Sequence, residues 1–540
     1  MSPSSAYPYR TARPQMPRNR RLWSRRTVPA ALLILSLTPP AALAAQRYAC
    51  NVEIAVGQAA RVDLPVEAPL DLTAFLAGIG GALDPLTFQV VEVDAEGSVL
   101  DEAVPFQFDA DAAFDPALHA VGELVFVLND TTPAFANRRY RVLFDVAGAC
   151  GECPPPPAVP APTTLDSLQY EGQATWLIST ASADYYYHRE GGGFASIIDN
   201  DGHDWISYHS RPGSGERGEY RGIPNMDVSV PGLSDGTFHP GDHAATTTLL
   251  HHGPLKVTLR SVYPNPLYRW SLLWEIYPTH ARMTVEEAGA DDSGHYWFLY
   301  EGTPGGALDA GDIVVRGDGT TTSAADNAEQ WEAVLADPQW LYYRDTAAAR
   351  YLYLSDDNGD AYPDAHRSMG AADGDEYSGM VVFGFGRVAE ASVDPLLPRM
   401  YGAERTFTIG LGEDSLHADA DIAATTRPVV VTVGAPAGLA SAVGDDVPPG
   451  IALGRNSPNP FNPATTIRFT LVATAAVDLS VFDLSGRHVR TLLRGELGPG
   501  EHAALWNGRA QDGRPAASGT YVYRLSAGGA VATGKMTMTK

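Results

Sequence analysis

Cysteine is almost missing from this chain of 540 residues: Cys50, Cys150 and Cys153 are all it has. That excludes a fold stapled by many disulfides and a metal centre built from cysteines. In an oxidising compartment Cys50 and Cys150, which bracket one stretch of the chain, are the preferred disulfide. Cys150 with Cys153, in ACGEC, competes as a strained small loop or a redox dithiol, but it lacks the strand and helix context of a redox motif. Positive charge is also short, with 38 Lys and Arg against 64 Asp and Glu and a net charge of −26. No basic stripe occurs beyond the first 44 residues, so nucleic acid and anionic membrane surfaces are excluded as partners. An acidic polysaccharide could be held only by a local arginine cluster working against the global field. The chain also lacks a long amphipathic helical repeat, a G-x-S-x-G elbow, an H-E-x-x-H motif and a phosphate-binding glycine loop. His251-His252 is a poor metal signal, because Gly253-Pro254 after it reads as a turn.

What is present is mostly strand. Residues 1–44 hold seven arginines and no acid, then VPAALLILSL and the small residues Ala42-Leu43-Ala44, the layout of a cleavable signal peptide. Pro39 and Pro40 break this run too early for a membrane span, and no other segment could cross a bilayer. Residues 45–151 carry the strand-like runs ARVDLPVEA, LTFQVVEVDA, ELVFVLND and YRVLFDVAG, read as an accessory β-sandwich. CPPPPAVPAP stiffens a linker over 152–164. Residues 165–433 offer many short β-branched and aromatic runs, among them DYYYHR, RWSLLWEIYP, RYLYLSDD and GMVVFGFG, which make a large sandwich. A small-residue and proline-rich linker, 434–450, leads to 451–540. There apolar residues alternate at Ile467, Phe469 and Leu471, at Val477, Leu479 and Val481, and at Tyr521, Tyr523 and Leu525, the pattern of a last small sandwich. The expected fold class is all-β and multidomain.

Two resemblances extend this reading. NSPNPFNPATTIRF, then VDLSVFDLSGRHVRTLLRGELGPGEHAALWNGRAQDGRPAASGTYVYRLSAGG and the closing KMTMTK, resemble the C-terminal sorting domain of the type IX (Por) secretion system and the related Ig-like module of flagellar hook-capping proteins. This implies export across an outer membrane, with the secretion machinery as partner of residues 451–540 and a secreted or cell-surface location. The order of motifs in 165–433 resembles secreted carbohydrate-active proteins with galactose-mutarotase-like supersandwich domains, such as polysaccharide lyases. This implies a central β-supersandwich and an extracellular polysaccharide as partner.

The densest polar and aromatic stretch is Tyr185 to His243. Sugars present flat apolar faces ringed by hydroxyls, which aromatic platforms and forked polar groups match. His188, Asp204, Trp205, Tyr208, His209 and Tyr300 are the residue types for such contacts. A lyase needs a base for the proton α to a uronate carboxyl group and a neutraliser of that carboxylate. Tyr220 and His239 suit base and acid, and Arg221 with Asn225 suits the clamp. Glu301, at the end of an aromatic strand before a Gly-Pro turn, could instead work with Asp204 or Glu219 as the carboxylate pair of a glycoside hydrolase. Non-catalytic glycan binding or adhesion uses the same residues, so all three readings stand. In SDDNGDAYPD, Asp356, Asn358, Asp360 and Asp364 fall at the first, third, fifth and ninth positions of a calcium loop. Ala361 and Arg367 replace its usual glycine and glutamate. The expectation is therefore a structural calcium site and not an EF-hand.

Overall fold

In the computed structural model the described residues are 48–148, 155–209, 221–224, 226–227, 237–238, 244–264, 269–288, 298–326, 329–345, 350–359, 363–369, 379–386, 405–413, 415–427, 429–439, 451–471, 474–483, 487–511, 513–527 and 530–539. The expected signal peptide, Cys150, Tyr220, Asn225, His239 and Asp360 lie outside them. The fold is all-β and multidomain. Among the described residues no helix is long and apolar enough to cross a membrane.

The first sandwich pairs a sheet containing Tyr48–Ala55, Asn137–Val146, Leu83–Val93 and Val99–Val104 with a sheet of Arg61–Asp71, Val121–Thr132 and Phe106–Ala110. Alternation along the strands turns Val52, Ile54, Val66, Leu124, Phe126, Val142 and Phe144 into one core. Cys50 is a free thiol inside it, its pKa pushed up to about 12 by burial. The domain boundary expected at 433 is corrected. Val430–Val433 pairs antiparallel with Val52–Ala55, and Ala437–Gly438 with Tyr48–Ala49, so the chain returns after the central domain to complete the first sheet. A first strand with an open edge needs a partner, and a run of valines supplies one.

The central domain has a nine-stranded antiparallel sheet running from Thr246–His252 through Val257–Tyr263, Trp270–Ile276 and His280–Ala288 to Arg405–Gly412, Tyr351–Asp356 and three shorter strands. Two four-stranded sheets join it: Gly193–Asp199 to Thr164–Tyr170, and Phe298–Gly302 to Trp331–Ala333. One core, containing Tyr185, Phe194, Trp274, Phe383 and Ile409, unites the three. The helix Ala418–Thr426 was not anticipated from sequence. Alanine is the strongest helix former, and Asp419 and Asp421 sit in the first turn where the helix dipole favours them. Fully buried Arg61 donates to the carbonyls of Ala423 and Arg427, both at 2.8 Å, satisfying two acceptors at the helix end.

A second bond between these domains is ionic. Lys256, 2% exposed, places Nζ 2.9 Å from Glu67, 2.5 Å from Glu123, 3.3 Å from Glu275 and 3.5 Å from Asp109. Arg282 reaches Glu67 at 2.7 Å and Glu275 at 2.8 Å, and the Tyr277 hydroxyl donates to Glu67. Glu67, Asp109 and Glu123 belong to the first sandwich; the others belong to the central sheet. The Glu67, Glu123 and Glu275 oxygens lie within 4.8 Å of one another, close enough for a metal ion, but the Lys256 ammonium already donates to all three. Burial would lower the Lys256 pKa; Glu67, Glu275, Glu123 and Asp109 outweigh it and raise it. Gln107 completes the seam, accepting from the Leu255 and Lys256 amides at 3.0 Å each and donating to the Lys256 carbonyl at 2.9 Å. It comes so close to Gly253 that a Cβ there would sit 2.2 Å from its amide carbon.

The tail is a two-sheet sandwich: Ile451–Ser457, Thr465–Leu471 and Gly500–Trp506 face His488–Leu497, Ala475–Asp483, Gly519–Ala527 and Ala530–Met538. All nine alternating residues named from sequence are buried in its core, around Trp506 and Met536.

Two outcomes follow from the seam. Lys256→Met leaves Asp109 buried and Glu67 and Glu123 half-buried without this cation, so it should destabilise in urea unfolding, by less than the ~3–5 kcal/mol of a fully buried pair because water and Arg282 remain to the others. His280, stacked on Tyr277, has its pKa lowered to about 3 by burial and by Arg282. The unfolded histidine binds a proton below pH ~6.5 and the folded one does not, so this group's contribution is lost as pH falls from there toward 3. Subtracting the pH–stability profile of His280→Phe from that of the wild type should show this loss beginning near pH ~6.5.

Candidate functional site

The site grows from one turn. After the strand Gly193–Asp199, Asp199 Oδ1 accepts the amides of Asp201 and Gly202 at 2.9 Å and of His203 at 3.0 Å, while its Oδ2 accepts the Trp205 indole N–H at 3.1 Å. The chain is thereby folded back, and Trp205 N–H donates to the Ile197 carbonyl. Asp204 holds the next turn: its Oδ1 accepts from Ile206 and Ser207 at 3.0 Å and from Ile197 at 3.3 Å, and the Ser196 hydroxyl donates to Oδ2 at 2.5 Å. Burial raises the Asp204 pKa, against the pull of Ser196 and these amides.

The Trp205 carbonyl then receives the second half of the site. The Tyr300 hydroxyl donates to it at 2.5 Å and the Thr303 amide at 3.0 Å. A Cβ on Gly302 would lie 2.4 Å from that oxygen, so glycine is required between them. Arg221 and Glu301 meet at backbone level: Gly222 and Glu301 exchange amide hydrogen bonds of 2.9 and 3.0 Å. Arg221 Nη1 donates to the Thr303 hydroxyl at 2.6 Å. Arg221 is 5% and Glu301 8% exposed. Strand alternation directs Arg221 to the Tyr300 side of this ladder and Glu301 to the other. The Tyr300 pKa is raised well above its ordinary value by burial and by the Asp204 charge, opposed by Arg221. That phenol remains neutral and is spent as a donor, so it is no general base.

The aromatic platform expected from sequence is corrected. His188, Trp205, Tyr208 and Tyr300 are fully buried. Trp205, Tyr208 and Tyr300 belong to the central core. His188 packs edge-on against Tyr208 with ring centroids 5.1 Å apart. Their size and apolarity, which made them candidates for stacking on sugar, instead fill the space between sheets. Asp204 is a turn holder, not a substrate contact. His209 stays partly exposed, its Nδ1 3.9 Å from Glu171. Thr303, which anchors Arg221, carried no sequence signal beyond its place before Pro304.

The calcium loop is also recast. Arg405 pairs with Asp356, whose Oδ1 accepts the Asn358 and Gly359 amides at 3.1 and 3.2 Å. Asn358 Oδ1 accepts the Thr406 amide at 2.6 Å, and Asp364 accepts those of Leu335 and Gly386 at 3.2 and 2.9 Å. A guanidinium against the first ligand position opposes a second cation there.

Comparison with known proteins speaks to the tail. Residues 461–530 match the FlgD Ig-like domain family. No curated protein matches the chain. Among solved structures, a glycosyl hydrolase family 38 protein from Enterococcus faecalis is similar at 9% identity, with 85% of this chain and 58% of that one covered and a TM-score of 0.40. A putative aldose 1-epimerase from Escherichia coli K12 is similar at 9% identity, with coverages of 46% and 99% and a TM-score of 0.32. PorU from Porphyromonas gingivalis is similar at 11% identity, with coverages of 90% and 34% and a TM-score of 0.18.

Trp205→Ala should cost about 3–5 kcal/mol of stability, as emptying a buried aromatic site does, and lower the melting temperature. Adding calcium or EDTA should move the melting temperature by less than about 1 °C, whereas Arg405→Leu, which strands buried Asp356, should lower it by several degrees.

Proposed function

We propose that the protein is an exported carbohydrate-active enzyme whose central supersandwich acts on uronide polysaccharides beside Arg221, and whose tail addresses it to the outer surface. The observation that carries the catalytic part is Arg221, nine-tenths buried and donating to Thr303, held there by the ladder that joins Gly222 to Glu301 across segments far apart in sequence. Holding such a charge away from water costs free energy, and sites that act on charged substrates are where that cost is met. The burial of Trp205, Tyr208 and Tyr300 in the core weighs against a flat aromatic binding platform.

In this reading Arg221, oriented by Thr303, neutralises a uronate carboxylate and so acidifies the α proton. The base is then Tyr220 or His239, because strand alternation turns the Glu301 side chain to the opposite side of the ladder. Tyr220, Asn225 and His239 are the companion groups the sequence nominates. The Ig-like match over 461–530, with the prolines and asparagines of SPNPFNP leading into it, supports residues 451–540 as a type IX sorting domain.

Arg221→Ala should lower the release of unsaturated uronides about 100-fold or more on a polysaccharide panel at a temperature where its unfolding curve shows it folded, whereas Glu301→Gln, on the other side of the ladder, should not. Reducing ends without the unsaturated chromophore would point to hydrolysis instead. Turnover of every uronide unchanged in Arg221→Ala would sink the site. Removing residues 451–540 should leave the remainder folded and strand it in the periplasm of a host with the export system, read by fractionation.

A further inference from the structure

The charge of this chain is divided unevenly. Residues 45–450 hold 21 basic and 59 acidic side chains, whereas residues 451–540 hold ten and five. Within the tail four of the eight arginines lie at one edge. The segment 507–515 lies along the strand His488–Leu497: Gln511 N–H donates to the Val489 carbonyl at 2.8 Å and Thr491 N–H to Gln511 Oε1 at 3.2 Å. Arg490 Nη1 reaches Asn507 Oδ1 and the Arg509 carbonyl, both at 3.4 Å. This brings Arg487, Arg490, Arg509 and Arg514 together, with Arg490 half-buried and the other three exposed. Arg509 is held in place by a 2.8 Å bond to the Gly513 carbonyl. Beside them exposed His488 packs edge-on against Phe482 at 5.5 Å, and the Arg524 guanidinium lies over the same ring at 4.7 Å. Asp512, the one acid in this segment of sequence, lies outside the described residues.

We propose that this arginine edge is a second binding site, for the repeating carboxylates of an anionic polysaccharide. The substrate class rests on the uronide reading of the central domain; the site itself rests on the geometry of the tail. A polyanion approaching residues 45–450 meets a strongly repulsive field, so the chain needs a region of opposite sign to hold it. Guanidinium forks pair with carboxylates two bonds at a time, and several at one edge suit a ligand whose charges repeat. The row ends on an aromatic ring already stacked with a cation, which also suits a pyranose face.

The test is retention of the full mature chain on immobilised polygalacturonate at low salt. The wild type should be retained and released by salt. Arg487→Ser/Arg509→Ser/Arg514→Ser/Arg524→Ser should bind about ten-fold more weakly or less tightly still, because each lost fork removes a screened ion pair. Arg487→Ser/Arg524→Ser, which leaves the loop bonds of Arg490 and Arg509 intact, should show an intermediate loss with an unchanged melting curve. Glu301→Gln should be retained like the wild type. Failure of the catalytic reading would appear separately, as no turnover with retention intact. Equal retention of the wild type and the four-fold variant, equal retention on a neutral galactan, or capture by polyglutamate with none by polygalacturonate overturns the proposal; the last assigns the edge to an acidic protein.

Discussion

The Lys256 ammonium and its ring of carboxylates set the geometry on which the two upstream domains depend. Two cations, Lys256 and Arg282, face Glu67, Asp109, Glu123 and Glu275 at a seam where Lys256 and Asp109 are buried while Arg282, Glu67 and Glu123 keep part of their surface in water. Such a cluster contributes little when compared with well-packed apolar residues, yet it is costly to break, because any lost partner leaves charge stranded. It therefore favours one relative placement of the sandwiches over all others. Gln107 and Arg61 act in the same sense, each saturating backbone groups of the neighbouring domain. Because Val430–Val433 completes the first sheet, the central domain is also tied to that sandwich at both of its chain ends.

That double attachment bears on the candidate site. The turn built by Asp199 and Asp204, the Trp205 carbonyl and the ladder between Gly222 and Glu301 are a relay of backbone bonds in which each carboxylate is spent on amides. The relay delivers Arg221 to Thr303 with few alternatives open to it. The tail follows a different logic: its core is almost wholly apolar, and its charge lies on the outside, with the sign opposite to the rest of the mature chain.

Much of the architecture was legible in sequence, and unevenly so. The period-two alternation at Ile467, Phe469 and Leu471 named core residues directly, because a strand with one buried face writes its orientation into every second position. The helix Ala418–Thr426 is not legible because its short text, ADADIAATT, opens on an alternation that suits a strand and carries only propensity toward a helix, a weak prior. The boundary at 433 was misplaced because Val430–Val433 is a valine run whether it pairs with the strand before it or with one almost four hundred residues away. At the site, Arg221 and Glu301 were named from residue type, but so were Trp205, Tyr208 and Tyr300. An aromatic chosen for stacking on sugar and one chosen for filling a core read alike until burial separates them.

By itself the sequence determined composition, charge, strand periodicity and the Ig-like tail, all properties that reside in residue identity and local spacing. Tertiary structure alone decided which carboxylates are spent, which arginine is oriented, and which strand closes the first sheet. Those depend on contacts between segments far apart in the chain, where partner identity is set by packing and by the need to pair every buried charge and amide.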